Sequence, residues 1–292
     1  MKNRDIGVGY MMIAPAVIML GIFVIIPLFM AFQYSFYDVS FFIESRWVGL
    51  DNFRIILGTR MFRQSIFNAI RFVVILVPLS LTLSFLIANA LAGVPKPYAS
   101  AVKTAIFIPG VVSGIAIGLI FNFIFNFNAG IVNQTMMNLG FDRIAIFTTV
   151  RGAVGAIVFV SLWMGIGGSV ILMYAARTGI PTSYYEAASI DGANALQKLI
   201  YVTIPQMKNV FILVTIGGVT GTLQMFDLPF IMTGGGPAGN TVTPMLFMFN
   251  TFRDPERTLG YTVSGALLLM VIIAILNSFV FAVVRSERSL EG

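Results

Sequence analysis

The chain has 292 residues, of which 58% are hydrophobic and 10% charged, and its mean hydropathy is +0.91. Soluble domains carry about 25% charged residues, so the composition excludes an ordinary water-facing globule and points to helices in a bilayer; the period-two alternation of a membrane β-barrel is missing. The net charge of +6 fits loops beside anionic lipid better than nucleic-acid binding, and with no cysteine or histidine the chain has no disulfide, no thiolate or imidazole metal site and no imidazole proton shuttle.

Lys2 and Arg4 precede an uncharged run from Ile6 to Tyr37. That run is too long for the core of a signal peptide and no small-residue cleavage site closes it, so it reads as a retained first span. A helix needs about 20 apolar residues to cross the hydrocarbon core. Six windows meet or approach that length, at residues 10–36, 72–92, 104–125, 153–176, 210–226 and 261–284. The fifth is short and ends at Asp227-Leu228-Pro229. The expected fold is an all-α membrane protein of six transmembrane helices, forming one domain over residues 1–292, with both termini on the same side.

Basic residues in the loops do not orient this bundle by number. Lys2, Arg4, Lys96, Lys103, Arg177, Lys198, Lys208, Arg285 and Arg288 fall on the side of the termini. Arg46, Arg54, Arg60, Arg63, Arg71, Arg143, Arg151, Arg253 and Arg257 fall on the other. All the lysines share the terminal side, which favours it as cytoplasmic. Residues 52–67 mix polar and apolar positions and suit a segment lying at the outer interface. Gly110, Gly114 and Gly118 in the third window, and Gly217 and Gly221 in the fifth, recur every four residues, the spacing that lets helix backbones approach closely. Pro15, Pro27, Pro78 and Pro109 are expected to kink or start spans.

Residues 177–208 form a charge-bearing segment between two apolar windows near the middle of the chain. Ile180-Pro181 is expected to end the fourth helix, and Ser183-Tyr184-Tyr185-Glu186 fits a capping box opening a short helix through Ile190. Gly192 suits a left-handed stop. A second helix is expected from Ala193 to Tyr201, with Pro205 at the entry to the fifth span. Ala187, Ala188 and Ala193 leave a low surface that a soluble partner can cover.

No glycine is followed by lysine, so the chain has no phosphate-binding loop of the P-loop type. Gly234-Gly235-Gly236-Pro237-Ala238-Gly239 is glycine-rich but reads as a tight turn at a span end. Ion-coupled carriers place ionisable groups at mid-membrane. Here the window centres are uncharged, and Arg71 and Asp227 lie at edges. A neutral, hydroxyl-rich cargo would find Ser161, Trp163, Thr222, Gln224, Met225, Asn122 and Asn126, each of which also suits interhelical packing. On residues alone three readings stay open: a subunit driven through the central loop, an autonomous channel or ion-coupled carrier, and a membrane scaffold.

The string Glu186-Ala187-Ala188, Asp191-Gly192-Ala193, Gln197 and Thr203-Ile204-Pro205 resembles the "EAA" signature of the membrane subunits of ATP-binding-cassette importers. Val48-Gly49-Leu50-Asp51-Asn52-Phe53, Thr233-Gly234-Gly235-Gly236-Pro237 with Thr241, and Gly260-Tyr261 with Ala266 resemble segments of the carbohydrate-uptake branch, of maltose, oligosaccharide or glycerol-phosphate type. The resemblance implies a type I importer permease fold in a prokaryotic inner or plasma membrane, with both termini cytoplasmic. It implies a coupling helix in which Tyr185, Glu186, Ala187, Ala188, Asp191, Gly192 and Ala193 meet an ATPase subunit. It also implies a sugar pathway at Ser161, Met164, Gly165, Gly168, Gly218, Gly221, Thr222 and Met225. Several of those positions are glycine or methionine where sugar-holding relatives are polar or aromatic, which suggests a wider cavity or a partner that holds most of the cargo. The implied partners are a second homologous permease, two ATPases that bind ATP and Mg, and an extracytoplasmic solute-binding protein. This chain would hold no cofactor and perform no catalysis.

Overall fold

A computed structural model of the chain describes residues 2–39, 45–254 and 258–286, with side chains described between Tyr10 and Ala282. Arg257 and Arg288 of the charge comparison, and the side chains of Lys2, Arg4 and Arg285, lie outside what is described. The secondary structure is almost wholly helical: α1 (Lys2–Leu20), α2 (Ile26–Tyr34), α3 (Asp51–Gly58), α4 (Arg60–Ala92), α5 (Lys96–Val111), α6 (Gly114–Ile124), α7 (Ile131–Asn138), α8 (Val150–Thr178), α9 (Thr182–Ile190), α10 (Ala195–Lys198), α11 (Ile204–Gln206), α12 (Lys208–Leu223), α13 (Pro244–Phe252) and α14 (Leu259–Ser286). Two short strands, β1 (Tyr37–Asp38) and β2 (Arg46–Trp47), pair antiparallel with Tyr37 opposite Trp47.

Four stretches are continuous helices long and apolar enough to cross a membrane: Tyr10–Tyr34, Arg60–Ala92, Val150–Thr178 and Leu259–Ala282. The third window is a bent pair instead, and the helix of the fifth is the second member of another. Lys96–Val111 and Gly114–Ile124 meet at 92°, and Ala195–Gln206 and Lys208–Leu223 at 68°. Counting each pair as one span gives the expected six. The third window differs from expectation because Val112 and Ser113 take extended backbone (ψ 144° and 131°) within an uninterrupted apolar run. The second helix begins at Arg60, well before residue 72, because Thr59 (ψ 120°) ends α3 and Arg60 starts a new helix directly.

Two of the prolines act through the turn before them. Gly21–Ile25 and Leu199–Thr203 are π-helical turns, each followed by an Ile-Pro pair, Ile26-Pro27 and Ile204-Pro205. Ile26 N–H donates to Gly21 O and Ile204 N–H to Leu199 O, five residues back. Proline lacks a backbone donor and its ring crowds the carbonyl four residues earlier. Widening the preceding turn lets the helix continue past it. Pro15 and Pro78 lie inside helices without such a break.

The chain gathers into two compact units. One comprises residues 1–62 and 248–271. Within it the Asn52 amide donates to Ser35 O and Tyr37 O, both at 3.0 Å, the Ser264 hydroxyl donates to Ser35 O at 3.2 Å, and Thr59 Oγ1 lies 3.0 Å from the Tyr261 hydroxyl. Gly260 runs against Tyr37 O, where a side chain would collide. The motif residues Asn52, Gly260 and Tyr261 therefore share one hydrogen-bonded corner.

The other unit comprises residues 63–247 and 272–292. Its centre is α8, nine of whose residues are buried. Val154 to Val160 pack with Phe72, Leu76, Ile117, Leu228 and Met232, and Met173 packs with Phe85, Ala88, Met207 and Val214. Lipid is as apolar as these side chains, so close packing more than water exclusion holds such helices together. Gly167 shows how close: a Cβ there would stand 2.6 Å from Ile106 O and 2.7 Å from Phe107 Cα, so α5 lies directly on the α8 backbone. Gly110, Gly114 and Gly118 are also tight, against Met164 O, Asp227 and Ile231. Gly217 and Gly221 are not; a Cβ at either would meet nothing within 4 Å. Their four-residue spacing borders a cavity instead of a helix contact.

Candidate functional site: a glycine-floored cavity and a capped knob

The second unit encloses an open cavity of about 570 Å³. α4 contributes Leu76, Val77 and Ser80, α5 and α6 contribute Gly110 and Gly114 at the 92° break, and α8 contributes Ser161, Leu162, Met164, Gly165 and Ser169. α12 supplies Gly217, Gly218, Gly221 and Thr222, and the segment after it supplies residues 224–228. Of the pathway residues named from sequence, Ser161, Met164, Gly165, Gly218, Gly221, Thr222 and Met225 come together on this wall, and Gly168 does not. Gly168 lies seven residues after Ser161, on the same side of α8, and a Cβ there would meet nothing within 4 Å.

The polar groups on the wall are hydroxyls and one amide, from Ser80, Ser161, Ser169, Thr222 and Gln224, together with the carboxylate of Asp227. Ser161 Oγ approaches Met225 Sδ at 3.5 Å. Gly165, Gly217 and Gly221 leave space where side chains would stand. Asp227 is the one ionisable residue among those lining the cavity, and it lies against Gly114. Sequence reading placed it at a span edge; the break between α5 and α6, invisible as a change of composition, brings it to the wall. Asn122 is not on the wall. It donates instead to Met232 O at 3.0 Å, the interhelical role that its residue type also allowed.

Beyond α8 the chain forms a polar knob. Gly179 ends α8, and the extended Pro181 (ψ 137°) is the residue from which α9 starts. The capping box expected at Ser183 and Glu186 is not formed. With Thr182 as the first helical residue, Ser183 is already inside the first turn and its hydroxyl cannot cap the helix. The box occurs one helix later: Asn194 Oδ1 accepts from Gln197 N at 2.9 Å while Gln197 Oε1 accepts from Asn194 N at 2.7 Å. The stop at Gly192 forms as expected. Its φ is +78°, Gly192 N donates to Ser189 O at 3.1 Å and Ala193 N to Ala188 O at 2.9 Å, the paired bonds of a Schellman motif. The second helix is shorter than expected, because Ala195–Lys198 passes into the π turn before Pro205.

No residue of α9 is buried. Glu186, Ala187 and Asp191 are exposed, and so are the apolar Ile190 (88%), Leu196 (63%) and Tyr201 (76%). Apolar side chains this open on a polar knob suit a covering partner; sequence reading singled out the small alanines and passed over Ile190 and Leu196. Tyr185 is the exception that points inward. Its hydroxyl lies 3.0 Å from Thr203 Oγ1, and the Arg177 guanidinium sits 4.5 Å from its ring centroid.

At another turn, Gly234, Gly235 and Gly239 have φ of +58°, +89° and +74°. The Asn68 amide holds this turn by donating to Gly239 O at 2.8 Å and Val242 O at 2.9 Å, and Arg71 donates to Asn240 O. The glycine-rich string is thus a tight turn tied to α4 by side chains about 170 residues away in sequence.

Comparison with known proteins places these features. Residues 101–289 match the model of the family described as binding-protein-dependent transport system inner membrane component. The lactose transport system permease protein LacF of Rhizobium radiobacter is 31% identical over 286 residues, covering 96% of this chain and 95% of that protein. The trehalose/maltose transport system permease protein MalF of Thermococcus litoralis is 30% identical over 273 residues, covering 93% of this chain and 92% of that protein. Among solved structures, a bacterial ABC transporter involved in the import of the acidic polysaccharide alginate has a chain that superposes with a TM-score of 0.84 at 20% identity, covering 97% of this chain and 96% of that one, which shows a shared fold. The chain belongs to the family of binding-protein-dependent transport system inner membrane components and is a multi-pass membrane protein of the importer permease fold.

Proposed function

We propose that this chain forms one half of the translocation pathway of an ATP-driven sugar importer. The observation that carries the reading is that α8 and α12, which flank the knob in the chain, together supply nine of the nineteen residues that line the cavity. A partner that grips the knob therefore acts on the two helices that shape the cavity. The hydroxyl and amide lining favours a neutral, hydroxyl-rich sugar or polyol, and the relatives named for lactose and for trehalose/maltose support that class. A phosphorylated polyol finds no basic side chain among the residues lining this wall.

In this reading a second, related permease completes the pathway, two ATPases bind ATP and Mg and dock on the knob at Glu186, Ala187, Ala188, Asp191, Gly192 and Ala193, and an extracytoplasmic binding protein delivers the cargo. Six spans put both termini on one side, which in this reading is the cytoplasm, the side of the knob. Nucleotide-driven closure of the ATPases shifts the population between inward- and outward-facing forms. The test is uptake of radiolabelled lactose, maltose and trehalose into liposomes. Uptake is expected only with both permeases, the ATPases, the loaded binding protein and ATP. Uptake by this chain purified alone would overturn the proposal in favour of a channel or carrier.

A further inference from the structure

One side chain of α9 reaches into the body beneath the knob. Tyr185, half-buried like Ala188 on a helix whose other residues are exposed, packs against the cluster of Phe85, Met173, Met207 and Val214. Its hydroxyl meets Thr203, which is 1% exposed and lies in the π turn leading to α12. Its ring faces the Arg177 guanidinium at 4.5 Å, and Arg177 Nε donates to Asn89 Oδ1 at 3.0 Å. Arg177 is in the last turn of α8 and Asn89 is near the end of α4. Three helices that wall the cavity, α4, α8 and α12, are therefore tied to α9 through a single aromatic ring.

We propose that Arg177 and Tyr185 are positioning residues that transmit displacement of the knob to the cavity, as distinct from the exposed residues that contact the ATPase. This rests on the importer reading given above. The physical basis is the difference in stiffness between the two kinds of contact. A planar guanidinium stacked on a ring and fixed by an amide has one preferred geometry. The remainder of α9 presents side chains to solvent and has no buried residue to carry a load. Removing Arg177 would leave the ring free to tilt, so α9 would move with its partner while α4 and α8 stayed behind.

The absence of cysteine from the sequence provides a cargo-independent test. Ser169→Cys places one thiol on the cavity wall, and its alkylation rate is measured by mass spectrometry of this chain within the assembled importer, with and without ATP and vanadate. In the parent, nucleotide is expected to change the rate. With Arg177→Ala added, the ATPases are expected to remain bound and to hydrolyse ATP, while the nucleotide-dependent change shrinks by roughly 5-fold or more, the lower range of coupling between linked sites. Arg177→Lys, which keeps a cation over the ring, is expected to restore part of the response. Asn89→Ala and Tyr185→Phe are run beside it, so that poor assembly of one variant does not decide the matter; both are expected to weaken the response in part. A normal nucleotide response in Arg177→Ala, or in both companion variants, would overturn the linkage. A parent that binds no ATPase, or whose thiol ignores nucleotide, would instead remove the importer reading and the linkage with it.

Discussion

Replacing Gly192 separates the shape of the knob from its packing. The residue sits at φ +78° and an added Cβ would meet nothing within 4 Å, so the effect of alanine there is one of backbone conformation alone. A left-handed L-residue costs about 1–2 kcal/mol, which corresponds to a factor of about 5–30 in a local equilibrium. Asparagine tolerates this region better, so its effect should be smaller. Because α9 has no buried residue, the melting temperature of the purified protein should not move. The opening should appear locally, as faster amide exchange at Gly192 and Ala193, whose N–H groups close the motif onto Ser189 O and Ala188 O. Hydrogen-exchange mass spectrometry of peptides spanning residues 182–198 reads this directly. The expected order of exchange is wild type slowest, then Gly192→Asn, then Gly192→Ala, the last accelerated about 5–30-fold. Cargo-stimulated ATP hydrolysis by the assembled importer should fall in the same order. Equal exchange in all three proteins would refute the idea that the left-handed stop holds the knob in shape.

Gly167→Ala tests the opposite case, where the conformation is ordinary and the space is filled. With Ile106 O only 2.6 Å from the new Cβ, α5 and α8 must separate, and a loss of about 1–3 kcal/mol is expected in a detergent unfolding assay. Asn68→Ala leaves Gly239 O and Val242 O without their side-chain donor; a loss of about 1–3 kcal/mol per unsatisfied carbonyl, and faster proteolysis at the 234–242 turn, are expected. Gly221→Phe should fill the cavity from α12, where no atom now stands within 4 Å of the Cβ position, and abolish sugar uptake while the ATPases still co-purify.

The break in the third window shows where sequence reading stops. Its residues are apolar on both sides of Val112, so neither composition nor periodicity marks a 92° bend. At the bend Gly110 and Gly114 lie tight against Met164 O and Asp227. Both partners are distant in sequence. Ser183 and Glu186 show a second kind of miss: their spacing suited a capping box, but the helix starts from Pro181, two positions too early for it.

The sequence alone determined what depends on single residues and local runs: the membrane environment from too little charge to cover a globule, the apolar windows from their length, and the stop at Gly192 from the absence of a side chain. Tertiary structure decided what depends on encounters across tens to hundreds of residues. It turned Gly217 and Gly221 from a packing stripe into a cavity floor, brought Asp227 to the wall, tied Asn68 to a distant turn, and set Arg177 between Asn89 and Tyr185. The physical reason is that hydrophobic length and backbone preference act along the chain, whereas close packing and hydrogen bonding join whatever the fold brings together.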